Sequence, residues 1–233
     1  MKFKGLKSGW YTVCGELWEK YDATYYLIPY DKLPVLDESL FHGNFNWLTD
    51  LRSEIKERYD NISLYSDRNN LKHLDRILNF ASAMNINLPI SFQKFLTDFH
   101  LQKRIPICTD CWLEVSNENI ALPENNDCYL VRFLNDQQGV LLWYLCFNKA
   151  SAHCVIVSSY YFEKELQYSV YNKELDNSEL LRNAFYCAPS FEEFLYRFWI
   201  ENTLWFDLNE NLPLTEIENK YLEEIRNKMN GKI

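Results

Sequence analysis

The chain has 233 residues and a formal net charge of −9, and 47% of it is hydrophobic, 24% charged and 16% aromatic. A chain this long buries ~70% of the surface it exposes when unfolded, so it needs no disulfide staples. The aromatic content excludes disorder as the main state, and the acidic balance sets a nucleic-acid backbone against it.

Glycine is scarce: Gly5, Gly9, Gly15, Gly43, Gly139 and Gly231. No pair has the spacing of a dinucleotide fingerprint or a Walker loop, whose backbones need glycine to approach phosphate closely. The seven cysteines are scattered and odd in number, as expected in a reducing cytosol. No apolar run follows the cationic Met1-Lys2-Phe3-Lys4 start, and residues 140–147 are too short for a membrane helix. The expected location is therefore cytoplasmic. A charge of −9 either suits a basic partner or simply keeps the chain soluble.

Residues 1–70 are read as an aromatic amino-terminal extension with one helix. Trp10-Tyr11, Trp18 and the run from Tyr25 to Pro29 are short strands or packed loops. The helix is expected after Asn46 as N-cap, because Leu48, Leu51, Ile55 and Tyr59 make one helical stripe. The core is expected over residues 71–208. A helix over 71–84 places Leu71, Leu74, Leu78 and Ala81 on one face. Pro89 opens the next, with Phe92, Phe95, Leu96 and Phe99 as its stripe.

The period then changes from 3.6 to 2. Strands are expected at residues 112–115, 128–134, 140–147 and 154–157, the third apolar on both faces and therefore central. The polar connection from Asn135 to Gly139 suits an antiparallel hairpin. Ser190 and Glu193 have the form of a capping box, followed by Phe191, Phe194, Leu195, Phe198 and Trp205 on one face. Thr215 and Glu218 form a second box. It starts an amphipathic helix in residues 209–233, with Ile217, Tyr221, Ile225 and Met229 as its seam. The fold class is α+β, a mostly antiparallel sheet at about residues 105–160 with helices packed around it.

Four pieces in this order resemble the SUKH superfamily of fungal cell-wall-synthesis regulators and bacterial immunity proteins. Leu88-Pro89-Ile90-Ser91-Phe92-Gln93-Lys94-Phe95-Leu96 is similar to the family's Leu-Pro-x-x-[Phe/Tyr]-x-x-Phe-Leu entry. Asn135-Asp136-Gln137-Gln138-Gly139 is similar to its polar-Gln-Gly turn. Trp143 and then Val155 follow on the next strands, and Ser190-Phe191-Glu192-Glu193-Phe194-Leu195 is like its closing helix. The resemblance covers about residues 71–206. The chain departs from the pattern after Phe99, where many members turn through Gly-Gly or Asn-Gly and this one continues His100-Leu101-Gln102-Lys103. The resemblance implies a binding role, since bacterial members commonly neutralise toxins, often nucleases, by direct contact. It supplies no catalytic residues and no cofactor.

Cys108-Thr109-Asp110-Cys111 is the sharpest local motif. Ordinary reduced thiols are the default reading, beside a zinc or dithiol role. No second Cys-x-x-Cys follows, and His153-Cys154 supplies further ligands only if the strands bring them together. His42, His73, His100 and His153 have no triad or metal spacing. Glu192-Glu193 and Glu223-Glu224 diverge on a helix and form no acid–base pair. Trp143 is read as core. Tyr160 and Tyr161 lie among carboxylates, the composition of an interface anchor with a charged rim, or they pack on the amino-terminal residues. The expected partner is a basic toxin domain, contacted by Asp110, Glu114, Glu118, Glu124, Asp127, Tyr160, Tyr161 and Glu163. The alternatives are a scaffold recruiting cellular partners and a cysteine- or zinc-dependent enzyme.

Overall fold

The computed structural model describes residues 6–13, 25–59 and 62–231. Trp18 and the Met1-Lys4 start lie outside them. The chain is α+β, built on a mixed sheet. In chain order the strands are β1 (Lys7–Thr12), β2 (Tyr26–Pro29), β3 (Tyr65–Ser66), β4 (Trp112–Leu113), β5 (Ile120–Leu122), β6 (Asn125–Asn135), β7 (Leu142–Asn148), β8 (His153–Ser158) and β9 (Ala184–Ala188). The helices are α1 (Ser53–Arg58), α2 (Asn70–Ala83), α3 (Ile90–Thr97), α4 (Phe99–Gln102), α5 (Lys164–Tyr171), α6 (Asn177–Arg182), α7 (Phe191–Asn209) and α8 (Glu216–Met229).

The spatial order is β2-β1-β9-β8-β7-β6-β4-β3, with β5 also on β6. The expected strands at residues 128–134, 140–147 and 154–157 form its antiparallel centre, β6-β7-β8. The sheet is wider than residues 105–160. β9 pairs antiparallel with β8, β1 lies parallel to β9, and β3 lies parallel to β4. The amino-terminal residues are thus part of the sheet and its core, with Trp10, Val13, Ile28, Phe45, Trp47 and Leu48 in the main hydrophobic cluster.

Strand alternation sorts the side chains to two faces. Val131, Phe133, Trp143, Leu145, Phe147, Val155 and Val157 point into the larger core. Helix α7 lies there, Phe191 meeting Phe92 and Phe133 edge-on at 5.1 and 5.4 Å. Trp143 is buried against Phe194 and Phe198, as core packing requires. Leu130, Leu142, Tyr144, Cys146, Cys154 and Ile156 point the other way, where Phe162, Leu175 and Leu180 cover them. The expected hairpin turn is present: the Gly139 N–H donates to the Asp136 carbonyl at 2.9 Å, and Gly139 has φ +68°. Space around its Cα is open, so backbone strain alone sets the cost of a side chain. Gly139→Ala should lower stability by ~1 kcal/mol in urea unfolding.

Several local expectations change. No helix starts at Asn46. Asn46 and Trp47 instead form a tight turn, closed by the Leu48 N–H donating to the Phe45 carbonyl at 3.0 Å, and α1 begins only at Ser53. Leu48, Leu51 and Ile55 are buried all the same. In α2 the buried face is Leu74, Ile77 and Ala81, while Leu71 is 44% exposed. Pro89 is the N-cap of α3 and lies outside its first turn, and that helix ends at Asp98. Asp98 then caps α4 by accepting the N–H of His100, which turns Phe99 outward. The Ser190 box is half formed: Ser190 Oγ accepts the Glu193 N–H at 3.1 Å, while the Glu193 carboxylate accepts from Tyr30 and Arg197. The Thr215–Glu218 box is complete. On α8 the seam is Tyr221, Leu222 and Ile225, with Ile217 and Met229 largely outside it. Among the described residues no helix is long and apolar enough to cross a membrane.

Candidate functional site

Arg132 organises the site. A strand-centre arginine must find acidic partners or lose much free energy. β6 carries an irregularity between Arg132 and Leu134: Arg132 opposes Tyr144 and Leu134 opposes Trp143, so Phe133 is the extra residue. Such a bulge re-aims its neighbours. Here it sends Phe133 and Leu134 to the larger core and leaves Arg132 on the opposite face with Tyr144.

The Arg132 guanidinium donates from Nε to Glu163 Oε1 at 2.8 Å and from Nη1 to Glu114 Oε2 at 2.9 Å. It also donates to the side-chain carbonyl of Asn135. Its Cζ lies 5.3 Å from the Tyr161 ring centre, a cation–π contact. Tyr144 Oη donates to Glu163 Oε2 at 3.0 Å and accepts the Phe162 N–H at 3.2 Å. Burial, then the Glu163 carboxylate, pushes the Tyr144 phenol well above its ordinary range. Glu118 stands exposed beside this network. Partial burial and the Glu163 and Glu165 carboxylates raise its pKa, the mark of a crowded negative field.

The eight residues expected at a partner surface divide. Glu114, Glu118, Tyr161 and Glu163 converge here, and Tyr160 joins them only through Tyr171. Glu163 does not contact solvent as expected: it is 3% exposed and neutralises Arg132. It belongs under the surface because a buried guanidinium needs a buried carboxylate. Tyr160 and Tyr161 are half-buried against Tyr171 of α5, at 5.4 and 6.5 Å between ring centres. Glu124 and Asp127 are exposed at the far end of β6, and Asp127 lies ~17 Å along the strand from Arg132. Asp127 pairs loosely with Lys149 at 3.4 Å. Asp110 is exposed in a left-handed turn, φ +51°, at a separate groove. Arg132, Glu165 and Tyr171 went unread as site residues. The available signal was a charged residue at an inward position of an otherwise apolar strand.

The cysteine motif occupies a loop before β4. The Tyr25 hydroxyl lies 2.8 Å from Thr109 Oγ1, 3.1 Å from Asp136 Oδ1 and 3.2 Å from Cys111 Sγ. Burial pushes the Cys111 thiol up to about 12 and holds Cys108 well above its ordinary value, with Cys111 a further cause. Neither is a thiolate at neutral pH. Among the described residues no group of three or more His, Cys, Asp and Glu side chains is arranged to hold a metal ion. The pKa of His153 is lowered, first by burial. Comparison of the chain with family models, curated proteins and solved structures returned no match.

Proposed function

We propose that the chain is a non-catalytic protein-binding module of the SUKH kind, an immunity protein that covers the basic substrate groove of a toxin. The observation that carries this reading is the convergence of Glu114, Glu118 and Tyr161 around the Arg132–Glu163 pair, with Tyr160 joined to Tyr161 through Tyr171. Rigid tyrosines with a carboxylate rim suit a cationic partner: the rings supply contact area at little entropy cost, and the charges steer the approach. The high thiol pKa values at Cys108 and Cys111 weigh against a nucleophilic cysteine.

The test is co-purification with the product of the neighbouring toxin gene. A complex should survive at about 1 μM. Tyr161→Ala and Glu118→Lys should each weaken it about tenfold, with raised salt weakening it further. Absence of a complex at that concentration, or one indifferent to both substitutions, rejects the reading. An isolated gene with no toxin beside it favours the scaffold alternative.

A further inference from the structure

A groove of about 1120 Å³ runs between the end of α1, the edge strand β3 and the α4 turn, away from Arg132. Its floor is apolar, since Leu51, Leu64 and Ile107 line it and are buried. Its walls expose two aromatic rings, Tyr65 at 57% and Phe99 at 51%. Rings this open are ready anchors, because covering their remaining apolar surface removes it from water. The break at Asp98 is what presents Phe99 here.

Among the described residues the unpaired charges of its rim are mainly positive, opposite in sign to the chain as a whole. Lys56, His100 and Lys103 are exposed, and none forms an ion pair with a described residue. Arg104 is committed to Asp50 at 2.8 Å and to the Leu48 carbonyl at 3.3 Å. Asp110 lies at one end of the groove.

We propose that this groove docks an acidic segment of a partner protein, with carboxylates against Lys56 and Lys103 and an apolar side chain between Tyr65 and Phe99. The groove is open and exceeds the ~300–1,000 Å³ of small-molecule pockets, so an extended segment fits it better than an enclosed ligand. A nucleic-acid strand carries charge at every residue and runs past the cationic rim onto a chain of net charge −9. A peptide confines its charge to the rim. The inference uses a different surface from the immunity reading and does not rest on it.

The experiment is fluorescence anisotropy on the full chain. The probes are a labelled Asp/Glu-rich peptide with one phenylalanine, its Asn/Gln counterpart, and an oligothymidylate of similar length. The acidic peptide should bind with a Kd on the order of 10–100 μM, and the neutral one at least tenfold more weakly. Lys56→Glu with Lys103→Glu should weaken the acidic peptide about tenfold or more. Phe99→Ser should weaken it too, and Arg182→Glu, exposed at the end of α6 and outside the groove, should leave it unchanged. Circular dichroism checks that the variants fold, and the milder Lys56→Gln/Lys103→Gln pair serves if the reversal does not. No binding by about 100 μM, equal binding of the two peptides, tighter binding of the oligonucleotide, or indifference to the lysine substitutions overturns the proposal.

Discussion

Arg132→Met should lower the free energy of unfolding by about 3–5 kcal/mol. The side chains of Arg132 and Glu163 are 5% and 4% exposed and meet at 2.8 Å. Methionine fills much of the arginine stem but leaves the Glu163 carboxylate buried, with only the Tyr144 hydroxyl donating to it among the contacts described above. An uncompensated buried charge is what makes the single change costly. Adding Glu163→Leu to Arg132→Met should therefore recover most of the loss, since a packed apolar pair avoids the desolvation of both ions. Urea unfolding followed by tryptophan fluorescence measures both. A single variant within about 1 kcal/mol of wild type shows that water reaches the pair and that it does not brace Tyr161.

A second large effect is a stability that falls as pH rises, traced to Asp207. Its side chain is fully buried near the start of α8, where Arg52 Nη2 lies 3.1 Å from Asp207 Oδ2 and 3.4 Å from Glu218 Oε2. Burial first, then the Glu218 carboxylate, pushes Asp207 up to about 7, with Arg52 opposing and Glu54 adding a little. Below about pH 4 the group is protonated in both folded and unfolded chains. Between about 4 and 7 the folded chain holds a proton that the unfolded chain has lost, so stability declines with pH across that window. Above it the folded chain carries a buried carboxylate that competes with Glu218 for one guanidinium. Asp207→Asn imitates the protonated form. It should stabilise the protein at pH 8 by on the order of 2–3 kcal/mol and flatten the decline between pH 4 and 7. A residual slope should persist, because Glu201, also raised to about 7 by burial, titrates in the same sense. Denaturation at pH 5 and pH 8 tests this. A variant no more stable than wild type at pH 8 means that Arg52 satisfies both carboxylates.

The two sites differ in how far sequence reasoning could reach. Glu114, Glu118, Tyr160 and Tyr161 were legible as polar and aromatic residues flanking strands. Glu163 belonged to the same run and was placed on the wrong side of the surface. In that run Phe162 and Glu163 are buried and Lys164 is exposed, an order with no simple period. The groove at Tyr65 and Phe99 was not legible at all. Phe99 continues the apolar stripe of α3, and only the break at Asp98 turns it out. The stripe from Leu48 to Tyr59 misled for a related reason. An irregular segment that buries a residue every three or four positions imitates a helix, and the turn at Asn46 and Trp47 leaves no mark on the side-chain pattern.

By itself the sequence determined what neighbours along the chain enforce. It set the α+β class, the alternating strands β6, β7 and β8, the turn at Gly139, the Thr215 cap, and the apolar face of α7 that covers the sheet. Each follows from local periodicity or from hydrogen bonds over a few residues. Only the tertiary structure decided that β1 lies parallel to β9, that β3 joins β4, and that Arg132 meets Glu163. Those partners are separated by long stretches of chain. Their pairing is fixed by which surfaces remain to be buried once the local elements have formed, and a one-dimensional pattern does not contain that.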